Sequence, residues 1–211
     1  MLRAARPVKT RSARPTIGPD DHGRLVTLEE FERAREEPGY IYELIDGVLT
    51  VSPTPKPWHE WWVKIVQRAL EDYARRNPRE INFVATTCEV VIPARPGPTR
   101  PQPDVAAYRD FPDPPPDAWD DVCPLIVVEV ISERREQKDV TRNRHLYWMA
   151  GGIAEYWIID PREDVRRPTL IALVRRSGTP RWQERVIPFG KSHRSPTLPR
   201  FSLNLRRAKR K

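Results

Sequence analysis

Leu125-Ile126-Val127-Val128-Glu129-Val130-Ile131 is an unbroken apolar run with one acid inside it. Its length, its β-branched residues and its bounds, Pro124 and Ser132-Glu133, predict a strand buried on both faces. An unpaired ionised carboxylate in such a strand costs several kcal/mol or more, so Glu129 must be protonated, paired with a cation or holding a metal. Strands buried on both faces belong to sheets covered by helices, and the neighbouring sequence supplies both.

Upstream, Thr27-Leu28-Glu29-Glu30 has the form of a capping box and opens a short helix ending before Pro38-Gly39. Tyr40 to Ile45 and Val48 to Ser52 are strand-like runs separated by Asp46-Gly47, the pair favoured by a two-residue type I′ turn, and predict an N-terminal hairpin. After the loop Pro53 to Pro57, a long helix begins near Trp58-His59. Trp62, Ile65, Val66, Ala69, Leu70 and Tyr73 form its apolar stripe, and Asn77-Pro78 stops it. Ile81 to Ile92 and Asp104 to Tyr108 read as strands.

Downstream of Glu129, residues 139 to 150 suit a helix closed by Gly151-Gly152. Ala154 to Ile159 is a further strand. Thr169 to Arg175 and Trp182 to Ile187 predict a C-terminal β-hairpin around Ser177-Gly178, and Leu198 to Leu205 an edge strand. Two helices among some eight strands imply an α/β (α+β) fold, a sheet layered with helices.

The 211 residues suffice for one domain with a substantial core, and no segment repeats. No apolar stretch approaches the roughly 20 residues that span a bilayer, and the N-terminus lacks the apolar core of a secretory signal. Met1 to Arg6 is Arg-rich and acid-poor like a transit peptide, but Pro7, Pro15 and Pro19 oppose an amphipathic helix. Cys88 and Cys123, with no Cys/His cluster around them, indicate neither a disulfide framework nor a zinc site. Reduced thiols in a cytoplasmic protein without a membrane partner are the expectation.

The net charge of +8 is unevenly spread. Residues 1 to 24 hold six bases and two acids and residues 206 to 211 hold five bases, leaving 26 bases against 27 acids between them. A disordered basic tail over 1–24, a domain over 25–205 and a basic tail over 206–211 are expected. Basic tails bind polyanions through salt-sensitive contacts, and they also serve as solubilising segments.

Three acids lie within or beside predicted strands: Glu43, Asp104 and Glu129. Glu43 shares a face with Ile41 and Ile45, and Asp104 opens its strand directly after Pro103. Carboxylates converging at strand ends make an oxygen cage suited to Mg²⁺ or Mn²⁺. Such an ion activates water and stabilises the transition state of phosphodiester hydrolysis. The competing reading makes Glu43 a solvent-facing hairpin residue, Asp104 a turn former and Glu129 the partner of a buried Arg. For Glu129 the site reading leads, because perturbed buried acids concentrate at functional sites.

These residues carry a resemblance. Tyr42-Glu43-Leu44-Ile45-Asp46-Gly47, Ser52-Pro53 with His59, Gln102-Pro103-Asp104, Val128-Glu129-Val130-Ile131-Ser132, Asp139 to Tyr147 and Glu155 to Pro161 follow the order of the Uma2 family, PD-(D/E)XK restriction-endonuclease-like proteins. The match spans about residues 40 to 175. The resemblance implies a restriction endonuclease-like mixed β-sheet flanked by helices and a Mg²⁺- or Mn²⁺-dependent endonuclease cutting DNA. It also implies Asp104, Glu129 and a carbonyl near Val130 as metal ligands, with Glu43 as a further acid.

A lysine two positions after the Glu is usual in that fold, and Ile131 stands there; the family typically moves it onto the next helix, where this chain has Asn143. Lys138 is the lysine nearest that helix and the expected catalytic cation, with Asn143 as a water-orienting substitute. Arg142 and Arg144 are the other cations; an Arg is a poor proton acceptor at neutral pH. His59, Ser132 and Arg142 are expected at the substrate side, although a helix-start histidine is also a plain surface residue. Tyr156 and Trp157 fit a core better than base stacking. The rival function is a catalytically impaired nuclease fold that binds nucleic acid or a protein partner, since fold does not fix function. Cutting both strands of a duplex makes a homodimer possible.

Overall fold

A computed structural model describes residues 14–132 and 141–208. Its centre is a mixed six-stranded sheet in the order β10-β9-β8-β7-β6-β5. These strands are β5 (Phe83–Ala85), β6 (Val105–Tyr108), β7 (Ile126–Val130), β8 (Glu155–Asp160), β9 (Thr169–Val174) and β10 (Gln183–Ile187). Only β7 and β8 run parallel. The chain between them includes helix α3 (Asn143–Met149), so the Glu129 strand is followed by a helical crossover, as parallel neighbours require.

Helix α2 (Pro57–Arg76) covers one face of the sheet. Its Trp62, Val63, Val66, Leu70 and Tyr73 pack on Val105, Val128, Val130, Trp157 and Ile159. On the other face Leu146 and Tyr147 of α3 meet Val127, Ile131, Tyr156, Ile158 and Leu173. Alternation along β7 therefore gives Val128 and Val130 to α2 and Val127, Glu129 and Ile131 to the α3 side. All five β7 residues are buried, as the apolar run predicts.

Outside this sheet, β1 (Thr16–Ile17) pairs in parallel with β2 (Arg35–Glu36), which follows α1 (Leu28–Arg33). The hairpin β3 (Tyr40–Ile45) and β4 (Val48–Pro53) turns at Asp46 and Gly47, whose φ values of 54° and 77° are those of a type I′ turn. Near the C-terminus β11 (His193–Arg194) pairs with β12 (Ser202–Leu203), and α4 (Leu205–Ala208) packs against α2. Among the described residues no helix is long and apolar enough to cross a membrane.

Several elements differ from the sequence expectation. The strand expected over 81–92 forms only as Phe83–Ala85. Beyond it Val90 and Ile92 donate their N–H groups to the carbonyls of Pro101 and Thr99, so this part pairs with a proline-punctuated loop instead of β6. The edge strand expected over Leu198 to Leu205 shrinks to two residues because Leu198, Leu203 and Leu205 all dip into the α2 core. Within the expected N-terminal tail, Ile17 is fully buried against Tyr42, Leu44 and Leu49. Residues 139 and 140 of the expected helix lie outside the described residues.

Candidate active site

The site grows from the end of β6. Pro103 has no N–H, so the ladder with β7 stops at Val105 opposite Val128. One step beyond, Asp104 precedes Val105 and Glu129 follows Val128, so each strand carries an acid just past the last paired residues. Asp104 takes over the open edge: its Oδ2 accepts the Val130 N–H at 2.7 Å. His59, in the first turn of α2, brings Nε2 to 3.2 Å from the same oxygen and is buried.

Glu129 is held from the opposite layer. Asn143 Nδ2 and the Tyr147 hydroxyl each donate to its Oε1 at 2.8 Å, one helical turn apart on α3. Burial and the neighbouring Glu129 charge push the Tyr147 phenol well above its ordinary pKa, so it remains a donor. Asn143 and Tyr147 are both neutral donors.

Glu43 is joined to this group through α3. Its Oε2 lies 3.4 Å from Arg142 Nη2, whose Nε donates to Asn143 Oδ1 at 3.0 Å. Glu43 Oε1 accepts the Gln102 N–H at 2.9 Å, and the Gln102 side chain donates to the Tyr42 carbonyl. The hairpin turn explains this position. The type I′ turn fixes the register Glu43 opposite Thr50, leaving Tyr42 and Leu44 on the hairpin's own core and Glu43 on the other side, buried at 1% exposure. A continuous chain, Glu43 to Arg142 to Asn143 to Glu129 to Tyr147, results.

The structure thus brings Glu43, Asp104, Glu129, His59, Arg142 and Asn143 together. Ser132 is half-buried directly after β7. Lys138 lies outside the described residues. Ile131 is fully buried in the apolar layer with Leu146 and Tyr156, so the position that usually carries lysine faces a core. Among the described residues no three His, Cys, Asp or Glu side chains are grouped closely enough to hold a metal ion. Mg²⁺ and Mn²⁺ are bound through one or two carboxylates, with waters and substrate phosphates completing the shell, and Asp104 and Glu129 carry ligands of that chemistry. The residues present fit that kind of ion.

Two features escaped the sequence reading. A cavity of about 190 Å³ beside Asp104 is lined by Lys64, Glu60, Thr86, Thr87 and Gln102. Lys64 follows Glu60 by one turn of α2, on the helix that His59 opens, and that spacing was the signal available. The second is Glu155, a fully buried acid beside the apolar run Tyr156 to Ile159 that has the same sequence signature as Glu129. It accepts from Trp157 Nε1 at 2.8 Å, Thr197 N at 3.0 Å and the Ser195 hydroxyl, and His193 Nε2 lies 3.0 Å away. His193, Ser195 and Thr197 belong to the C-terminal segment and Trp157 to β8, and none of the four lines the Asp104 cavity.

The family model of Uma2, described as "Putative restriction endonuclease", matches residues 28–206. Among solved structures, the crystal structure of "a putative nuclease belonging to DUF820" from Anabaena variabilis is similar, with a TM-score of 0.64 and 18% sequence identity over 88% of this chain and 98% of that chain. At that identity the likeness is one of fold. No curated protein matches the chain. With the hairpin, the Asp104–Glu129 strand pair and the α3 crossover all inside the matched span, the chain belongs to the Uma2 family.

Proposed function

We propose that the protein is a Mg²⁺- or Mn²⁺-dependent endonuclease that hydrolyses DNA phosphodiester bonds, with Asp104 and Glu129 as its metal-holding residues. The observation that supports the reading is the end of the β6–β7 ladder at Val105 and Val128, where Asp104 and Glu129 are the next residues of the two strands, Asp104 accepts the Val130 N–H and a polar cavity opens beside Asp104. A divalent ion bound there would supply Lewis acidity and an activated water. The chain's own residues orient and balance the charges. Val130 N–H and His59 fix Asp104, and Asn143 and Tyr147 fix Glu129. Lys64, with Thr86 and Thr87, offers a cation and hydroxyls to an anionic group entering the cavity, as a phosphodiester would require. Arg142 balances Glu43 and positions Asn143, so Glu43 acts through the α3 chain.

Supercoiled plasmid with Mg²⁺ or Mn²⁺ provides the test. Asp104→Ala and Glu129→Ala are expected to lose cleavage by at least a hundred-fold while remaining folded, as judged by circular dichroism and a cooperative melt; cleavage retained in both variants would sink the proposal. Lys64→Ala is expected to lose most activity, whereas Lys138→Ala tests the cation the sequence nominates, with unchanged activity pointing to Asn143 or an arginine instead.

A second reading is a nuclease-fold protein that binds nucleic acid without cutting it, favoured by Ile131 filling the usual lysine position with buried hydrocarbon. It predicts DNA binding by the wild-type chain with no metal-dependent cleavage at any Mn²⁺ concentration.

A further inference from the structure

From its middle to its C-terminal end, α2 borders a groove of about 670 Å³ closed on its far side by residues 200 to 204. The floor is apolar, made by Ile65, Tyr73 and Phe201, with Tyr73 and Phe201 packed edge to face. Cations stand on both rims: Arg68, Arg75 and Arg76 on the helix and Arg200 opposite, all exposed. Glu71 and Asp72 are the acids of the groove; Asp72 pairs with Arg75, and Gln67 donates to Glu71. Among the described residues, Arg68, Arg76 and Arg200 have no acid within ion-pair distance.

Placement gives this charge a direction. Arg68 is one turn along α2 from Lys64 of the Asp104 cavity. At 1.5 Å rise per residue, Arg68 to Arg76 extend about 14 to 25 Å beyond His59, roughly four to seven base-pair steps of duplex. At the far end α4 packs on α2, and the sequence continues from it with Lys209, Arg210 and Lys211. The chain between the two basic termini carries 26 bases and 27 acids, and three of those bases are the unpaired arginines that this one groove gathers on its two rims.

We infer that this groove is a second contact surface for the phosphodiester backbone of duplex DNA, holding the substrate several base pairs from the Asp104 cavity; the inference rests on the nuclease reading for its choice of polyanion. The contacts are to phosphate and carry no sequence preference.

The test is fluorescence anisotropy of the full chain with a labelled 20-base-pair duplex in EDTA across a salt series. The double variant R68A/R200A is expected to bind roughly ten-fold more weakly, and its plot of log affinity against log salt to be shallower by about two, with melting unchanged. Equal affinity and equal slope in wild type and variant would overturn the inference, as would no duplex binding by wild type or stronger binding to anionic lipid vesicles than to DNA. Binding in EDTA needs no metal site. Failure of the nuclease reading shows as absent cleavage, and failure of this inference as unchanged binding.

Discussion

Glu129 and Glu155 are both strand carboxylates with almost no exposure, and the atoms around them assign them different work. Glu129 accepts from two neutral donors on one helix, at the end of the sheet where Asp104 also sits. Glu155 has His193, Ser195, Trp157 and Thr197 around it. Burial opposes its ionisation, but those hydrogen bonds together outweigh burial and hold its pKa below the ordinary 4.5. A depressed folded-state pKa means the stabilisation is present above pH 4.5 and is lost as the pH falls through the folded value. Glu155→Gln should therefore destabilise most at neutral pH, by about 3 kcal/mol, with the gap to wild type narrowing towards pH 3 in denaturant melts. A gap that stays constant with pH would show Glu155 to be uncharged in the fold. Tyr147→Phe removes one donor to Glu129 and should cost about 1 kcal/mol of stability. Cleavage by that variant should fall about ten-fold with little change in KM, read in single-turnover assays.

Glu129 was legible in the sequence because an acid in a seven-residue apolar run is a local contradiction. Glu155 carried a weaker form of the same signal, at a strand's first residue. Its partners, Trp157 apart, lie 38 to 42 residues away and could not be read from it.

At the scale of elements, α3 connects the two ends of the site network, and Arg175 of the segment after β9 holds it in place. The Arg175 guanidinium stacks 4.0 Å from the Trp148 ring and 4.9 Å from that of Trp182 and donates to the carbonyls of Tyr147, Trp148 and Ile153. Tyr147 and Trp148 lie in the last turn of α3, where carbonyls lack a full set of intrahelical partners, and Ile153 lies just beyond it. Arg175→Ala should cost about 2 to 3 kcal/mol and lower hydrogen-exchange protection across α3 before other helices. Cleavage should drop with it because Asn143 and Tyr147 ride on that helix; unchanged protection of α3 would separate Arg175 from the site. Hairpin β3–β4 was readable because Asp46-Gly47 fixes a turn within four residues. The strand expected over 81–92 was not, because its truncation depends on the prolines at 98, 101 and 103 in the opposing loop. Alternation alone cannot tell a laddered strand from an extended segment bonded to a loop.

Across the whole molecule, the sheet separates two layers, and each contributes to the site: α2 supplies His59 and Lys64 around Asp104, and α3 supplies Asn143 and Tyr147 to Glu129. The order of motifs made the acids and the fold readable, since each motif sits at a strand end or turn. Lys64 was not, because its nearness to Asp104 is a product of how α2 crosses the sheet. Charge follows the same division, with an acid-rich site at one end of α2 and unpaired arginines towards the other. The central claim is that Asp104 and Glu129 form one divalent-ion site. Calorimetric titration of Mn²⁺ into the full chain measures it directly. One ion per chain is predicted for the wild type, with binding lost in Asp104→Ala and in Glu129→Ala variants that remain folded at the temperature of the titration. No heat from the wild-type chain at millimolar Mn²⁺, or undiminished binding in both variants, would contradict it.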